Sequence, residues 1–300
     1  MQEALTHPVF GYYPAGIRGI GGVRGDFATW PGMENSLARA VRRWLRTGPG
    51  RVIETGAGDG SLAAGILSGI WRRPKFGIVE MSPVLRRLQH QRLGRRATWF
   101  ESPAEALKAW DGSADLIANE LVDAFPVRVF RKEGGAGWSE MHVTIDSGRA
   151  VMRWLPAIPP PLPVFDLNWR KGQILEVLSG FDNWLAGWIG HWKEGRLLLI
   201  DYGDTCPKLQ RLHPAGTLRA YARHQRLTGP EILEGFGRRD ITADVDFSAV
   251  EKILRSAGLH IPGHTTLTAF LEKWCRRPVP PAFQPAAEAF RIIEAVPSAG

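Results

Sequence analysis

The stretch Val52–Leu67, "VIETGAGDGSLAAGIL", decides the fold. Three glycines alternate between an apolar run and a segment of helical periodicity. Glycine interior to ordered chain is costly, so a bare backbone there implies a close approach by something else. Placed after a first strand and before a helix, such a turn predicts a nucleotide-type site at the carboxyl edge of a doubly wound sheet.

The segments that follow keep the alternation. "RVIET" (51–55), "FGIVEM" (76–81), "ATWFES" (97–102), "ADLIANEL" (114–121) and "GRLLLIDYG" (195–203) read as strands. "SLAAGILSGIW", "PVLRRLQHQRLG" and "AEALKAW" read as the intervening helices, with Pro opening the second and Gly closing it. Right-handed crossovers between such units give a mostly parallel, three-layer α/β architecture. Three parts depart from the alternation. Residues 1–46 precede the sheet as a cap. Residues 127–165 carry two or three antiparallel strands, a hairpin insertion, and then the stiff linker "PAIPPPLP". Residues 204–247 have little periodicity and read as an irregular lid or binding loop. The main α/β domain is expected over 47–300.

Composition narrows the class. The chain has 300 residues, is 44% hydrophobic and carries a net charge of +8, mostly from arginine. The Arg-Arg pairs are scattered from Arg42-Arg43 to Arg276-Arg277, whereas a nucleic-acid surface would gather them on one face. Nucleic acid is therefore the lesser reading. No apolar run reaches the length of a membrane span, and the start lacks a leader pattern. Two cysteines exclude a disulfide framework, and no metal-ligand spacing is present. "HIPGH" (260–264) is interrupted by Pro and Gly and does not form a helical ligand pair. A cytoplasmic protein is expected, with homodimerisation left open.

The chemistry of the turn points further. The dinucleotide fingerprint wants its third glycine one place later, where Ser61 stands. Glu54 lies two residues before Gly56, and a carboxylate there repels a pyrophosphate but suits a ligand with positive charge. S-adenosylmethionine, with a sulfonium and an ammonium and no phosphate, fits. Glu54, Gly56, Gly58 and Gly60 are its expected contacts. Glu80 closes the second strand, where a carboxylate accepts hydrogen bonds from both ribose hydroxyls. Asp59 and Ser82 read as helix caps. "ANELVDAFPV" ends the fourth strand with Asn119, Glu120 and Asp123 at the same edge, an unusual ending for packing alone.

The blocks "ETGAGDGSLAAGIL", "VEMSPVLRRLQ", "ANELVDAFPV", "LLLIDYG", "GTLRAYARHQ" and "DITADVDFSAV" stand in the order seen in the MidA family of class I methyltransferases. The resemblance extends to "THPVFGYY" and "RGDFAT" near the start and "FRIIEAV" near the end, covering essentially the whole chain. It implies a Rossmann-like seven-stranded sheet and S-adenosyl-L-methionine as cofactor, with Asn119 beside it. A mitochondrial member is regarded as a protein arginine methyltransferase acting on a respiratory-complex subunit. The implied partner is thus a protein substrate, with arginine favoured. An arginine acceptor calls for converging acids, and Glu120, Asp123, Asp240 and Asp246 are the candidates, with Asp26, Tyr221 and His224 on the lid side. The sequence departs from the family at Asp244, where His is usual, at Leu267, where Gln is usual, and in lacking a Phe-Gly after "RGDF". A small-molecule or RNA methyltransferase, an NAD-dependent oxidoreductase and a non-catalytic SAM-binding assembly factor remain the alternatives.

Overall fold

The computed structural model describes residues 1–20, 35–68, 74–160, 169–222, 225–275, 279 and 281–298. A short helix α1 (Gln2–Thr6) and a single π-turn (Tyr12–Gly16) open the chain, and helix α2 (Ser36–Trp44) follows. Strand and helix then alternate as β1 (Arg51–Thr55), α3 (Ser61–Leu67), β2 (Lys75–Val79), α4 (Pro83–Leu93), β3 (Thr98–Phe100), α5 (Pro103–Ala109) and β4 (Asp115–Asn119). Local chemistry sets the boundaries. Ser82 and Ser102 each accept a backbone N–H three residues on and are followed by Pro, the signature of a helix start.

Beyond β4 the chain builds two insertions. Strands β5 (Val127–Lys132), β6 (Trp138–Asp146), β7 (Arg149–Ala157) and β8 (Ile174–Leu178) form an antiparallel sheet in the order β7-β6-β5-β8. Strand β8 was not expected, because its apolar run is short and its partner β5 is distant in sequence. Helix α6 (Phe181–Ala186) leads to β9 (Leu197–Asp204). The 204–247 segment is more regular than its sequence suggests. It holds α7 (Lys208–Leu212) and a small sheet of β10 (Arg219–Ala222), β11 (Gln225–Leu227) and β12 (Asp240–Thr242), and ends in β13 (Val245–Asp246) beside β9. Helix α8 (Phe247–Ser256), β14 (Leu259–Thr266), α9 (Leu267–Cys275), α10 (Gln284–Ala289) and β15 (Phe290–Pro297) complete the body. "HIPGH" lies within β14, at a register shift between His260 and Gly263.

The central sheet runs β3-β2-β1-β4-β9-β15-β14, with β15 antiparallel to both neighbours and the first five strands parallel. Both faces are buried, which is why its strands read as continuous apolar runs. Leu198 and Ile200 pack with Leu37, Trp44 and Phe270 on one side. Leu197 and Leu199 pack with Leu107, Leu185 and Phe247 on the other. Helix α2 therefore belongs to the body rather than to the cap. Of the described N-terminal residues, 1–20 lie over the carboxyl edge, where Tyr12 and Ile17 pack on Leu85, Ala220 and Ile241. No helix among the described residues is long and apolar enough to cross a membrane.

Candidate active site

At the carboxyl ends of β1, β2 and β4 lies a cavity of about 540 Å³, bordered by Glu54, Gly56, Gly58, Glu80, Met81 and Asn119. The turn after β1 needs glycine. Gly58 has φ +55°, and a Cβ there would stand 3.0 Å from Ile20 Cδ1. Glu54 is 2% exposed, and its Oε2 has no hydrogen-bond partner among the described residues; the same holds for Asn119 Oδ1. Burial, with the Asp59 and Glu80 charges nearby, pushes the Glu54 carboxyl up to about 8. Glu80 accepts from the Ser82 N–H at 2.9 Å and from Gln89 Nε2 at 3.2 Å. Burial outweighs those bonds and pushes Glu80 up to about 7. Met81, more than half exposed, and Phe125 and Trp184 supply apolar walls, and Ser102 adds a hydroxyl from the turn after β3.

A second cavity of about 710 Å³ lies beside the first, between β9, the small sheet and α10. Its floor is the turn after β4. Glu120 takes φ +51°, a left-handed conformation that costs a non-glycine residue about 1–3 kcal/mol and concentrates at working sites. Asp201 holds that turn, its Oδ2 accepting the N–H groups of Leu121, Val122 and Asp123 at 3.1, 2.9 and 3.3 Å. The Asp123 carboxylate accepts from the Tyr202 hydroxyl and, at 2.8 Å, from Thr242 Oγ1. Arg219 pairs with Asp244 at 2.6 Å, donates to the Tyr221 hydroxyl at 3.0 Å, and stands 5.0 Å above the Tyr202 ring. Tyr13 donates to Asp240 Oδ1 at 2.9 Å. Tyr13 and Glu120 line both cavities.

The fold thus gathers Glu54, Gly56, Gly58, Glu80 and Asn119 in one cavity, and Glu120, Asp123 and Asp240 in the other. Two expected site residues fall elsewhere. Gly60 does not border the first cavity; with φ +79° it turns the chain into α3 and packs against Gln89 and Leu93. Asp246 is the N-cap of α8, accepting the Ser248 and Ala249 N–H groups at 2.9 and 3.3 Å, and lies on a flank between α6 and α8. Held at that helix start, its carboxylate is not among the groups that line the second cavity. Asp59, read as a helix cap, lies one residue before the actual N-cap Gly60; it accepts the Ser61 N–H at 3.0 Å, pairs with Arg92 at 2.9 Å and borders the first cavity. Tyr221 lines the second cavity, whereas Asp26 and His224 lie outside the described residues. Tyr13 and Arg219 were missed. Both sit in quoted blocks, "THPVFGYY" and "GTLRAYARHQ", but neither spacing nor periodicity marks them as facing a cavity.

A family model described as "Putative S-adenosyl-L-methionine-dependent methyltransferase" matches residues 36–265. A zebrafish (Danio rerio) protein named protein arginine methyltransferase NDUFAF7, mitochondrial, is 28% identical, the alignment covering 84% of this chain and 67% of that one. Its mouse (Mus musculus) counterpart is 27% identical over 84% of this chain and 64% of its own. The match thus spans about two thirds of the length of these curated relatives. Among solved structures, a Burkholderia thailandensis protein bound to S-adenosyl-homocysteine superposes with a TM-score of 0.83 at 26% identity, covering 98% of this chain and 86% of that one. A native structure from the same organism gives 0.77 at 26% identity, covering 98% and 85%. The seven-strand order, the glycine turn between two acids and the extent of the family match agree, and the chain belongs to this family of S-adenosyl-L-methionine-dependent methyltransferases.

Proposed function

We propose that this chain methylates arginine side chains of a protein, with S-adenosyl-L-methionine held at the ends of β1 and β2. The residues suit that cofactor. The unpartnered Glu54 Oε2 and Asn119 Oδ1 are buried acceptors fit for a cationic ligand's N–H groups, and Glu80 is placed for ribose hydroxyls. Glu54, beside the glycine turn, disfavours a pyrophosphate there, which weighs against a dinucleotide. When bound, this cofactor supplies a methyl group activated by its sulfonium.

The acceptor reading rests on the charge of the second cavity. Glu120, Asp123, Asp204, Asp240, Asp244 and Glu288 line it, against Lys208, Arg219 and Arg291 as fixed cations. Arg219 answers Asp244, and Asp204 pairs with both Lys208 and Arg291 at 2.7 and 2.8 Å. Glu120, Asp123 and Asp240 line the same cavity, and Glu120 borders the cofactor cavity as well. A cation inserted there gains Coulomb energy of several kcal/mol per close pair, about 4 kcal/mol at 4 Å and an effective dielectric near 20. Among the described lining residues those six acids stand against three cations, and this excess of negative charge carries the cavity's preference for a guanidinium.

Roles differ among Glu120, Asp123 and Asp240. Asp123 is held by Tyr202 and Thr242, and its function is to fix charge and shape. Glu120 borders both cavities, and it takes the proton that the acceptor nitrogen loses as that nitrogen gains the methyl group. Asp240 holds the acceptor cation. Replacing Glu120 with Gln keeps shape and removes the proton acceptor. S-adenosyl-homocysteine affinity should stay within about twofold while transfer falls by about 10²–10⁴. Retained transfer in this variant would end the assignment of Glu120. A respiratory-complex subunit as acceptor and a homodimeric assembly belong to the same proposal; labelling of isolated complexes and light scattering test them.

A further inference from the structure

Tyr13 reaches the junction of the two cavities from outside the sheet. It lies in the π-turn Tyr12–Gly16, and this turn is seated firmly. Tyr12 is fully buried with Leu5 and Ile17 against Ala220 and Ile241 of the small sheet and Leu85 of α4. A Cβ on Gly16 would stand 1.9 Å from the Gly237 carbonyl oxygen, and one on Gly237 would stand 1.7 Å from that of Phe10. Only two glycines allow the turn to meet the loop before β12 so closely. Tyr13 and Asp240, on opposite sides of that contact, are thereby brought to 2.9 Å between hydroxyl and carboxylate.

We infer that Tyr13 is a positioning residue for the transfer: its ring walls the cofactor cavity where that cavity opens to the acceptor, and its hydroxyl holds the Asp240 carboxylate toward the acceptor cation. The second half rests on the arginine reading above; the first does not. Burial and the Asp240 and Asp123 carboxylates hold the Tyr13 phenol well above its usual range, so it remains a donor and Asp240 the acceptor at any working pH. Methyl transfer requires nitrogen, methyl carbon and sulfur in line, and small displacements from that geometry are expensive in rate. The Tyr13 ring, which touches both chambers from a rigid seat, is suited to setting it, whereas the hydroxyl acts on acceptor binding through Asp240.

Two variants separate the ring from the hydroxyl. Tyr13→Phe should leave S-adenosyl-homocysteine affinity, measured by calorimetry, within about twofold of the parent. Tyr13→Ala should weaken it at least fivefold. With the peptide Gly-Gly-Arg-Gly-Gly as acceptor and labelled S-adenosyl-L-methionine as donor, Tyr13→Phe should raise KM about tenfold with kcat nearly unchanged, the pattern of lost ground-state binding. Circular dichroism of all three proteins controls for folding. Unchanged affinity for S-adenosyl-homocysteine in Tyr13→Ala overturns the wall. An unchanged KM in Tyr13→Phe, or a fall in kcat alone, overturns the hydroxyl's role. If the parent protein labels no arginine peptide, the arginine reading and the hydroxyl's role fall together, and the calorimetric comparison still decides the wall.

Discussion

Glu120 follows β4 in a left-handed conformation and Tyr13 comes from the N-terminal turn, yet both line the cofactor cavity and the second cavity, where we propose the acceptor binds. The cavities are adjacent chambers with a shared wall, the arrangement an in-line group transfer requires.

Gly58 tests the cofactor chamber. Its φ of +55° and the 3.0 Å approach of Ile20 leave no unstrained place for a side chain. A β-branched residue in that conformation costs about 1–2 kcal/mol from the backbone alone. Gly58→Val should reduce S-adenosyl-homocysteine affinity at least tenfold by calorimetry, with the far-ultraviolet circular dichroism of the parent. Unaltered affinity would remove the turn from the binding site.

Much of this chamber is legible in the sequence because its determinants are local. Glu54 and the glycines sit on one turn, Glu80 ends the neighbouring strand, and strand–helix alternation brings those ends together. Gly60 shows the limit of such reading: within the same motif, one glycine turns the chain into α3 and lies outside the lining of that cavity. The acceptor chamber is less legible because tertiary packing makes it. Asp240 and Asp246 are six residues apart, but β12 carries one into the cavity, while the other is taken up by the start of α8. Arg219 reads in sequence as one of many surface arginines; the structure buries it between Tyr202, Tyr221 and Asp244. Strand β8 was missed for the same reason, since its pairing with β5 crosses the whole hairpin insertion.

The correction at Asp246 gives its own prediction. Asp246→Ala removes the cap of α8 and should destabilise the protein by about 0.5–2 kcal/mol in urea unfolding. S-adenosyl-homocysteine affinity and transfer should stay within twofold of the parent at a temperature where both are folded. A large loss of turnover in a folded Asp246→Ala protein would return that residue to the acceptor site.

The two cofactor-side acids predict a pH signature. Burial raises Glu54 from its ordinary 4.5 to about 8 and Glu80 to about 7, so the free folded protein holds protons that the unfolded chain has released. Stability from this source is fully present below about 4.5, declines as pH rises, and is lost once pH passes about 7 to 8. The ligand acts in the opposite direction, since a cationic cofactor favours ionised carboxylates. S-adenosyl-L-methionine affinity should therefore rise from pH 6 to about 8, with proton release detectable by calorimetry in buffers of different ionisation enthalpy. Affinity that is flat over this range, or that falls, would show that Glu54 and Glu80 do not meet the cofactor as carboxylates.

The central claim, transfer to arginine, is tested most directly by the chemical identity of the product. The protein is incubated with methyl-labelled S-adenosyl-L-methionine and a lysate of its host, and the labelled proteins are hydrolysed to amino acids. Label recovered as methylarginine, and absent with Glu120→Gln, is the predicted result. Label on a different amino acid, on nucleic acid, on a small molecule, or on no acceptor at all would contradict it.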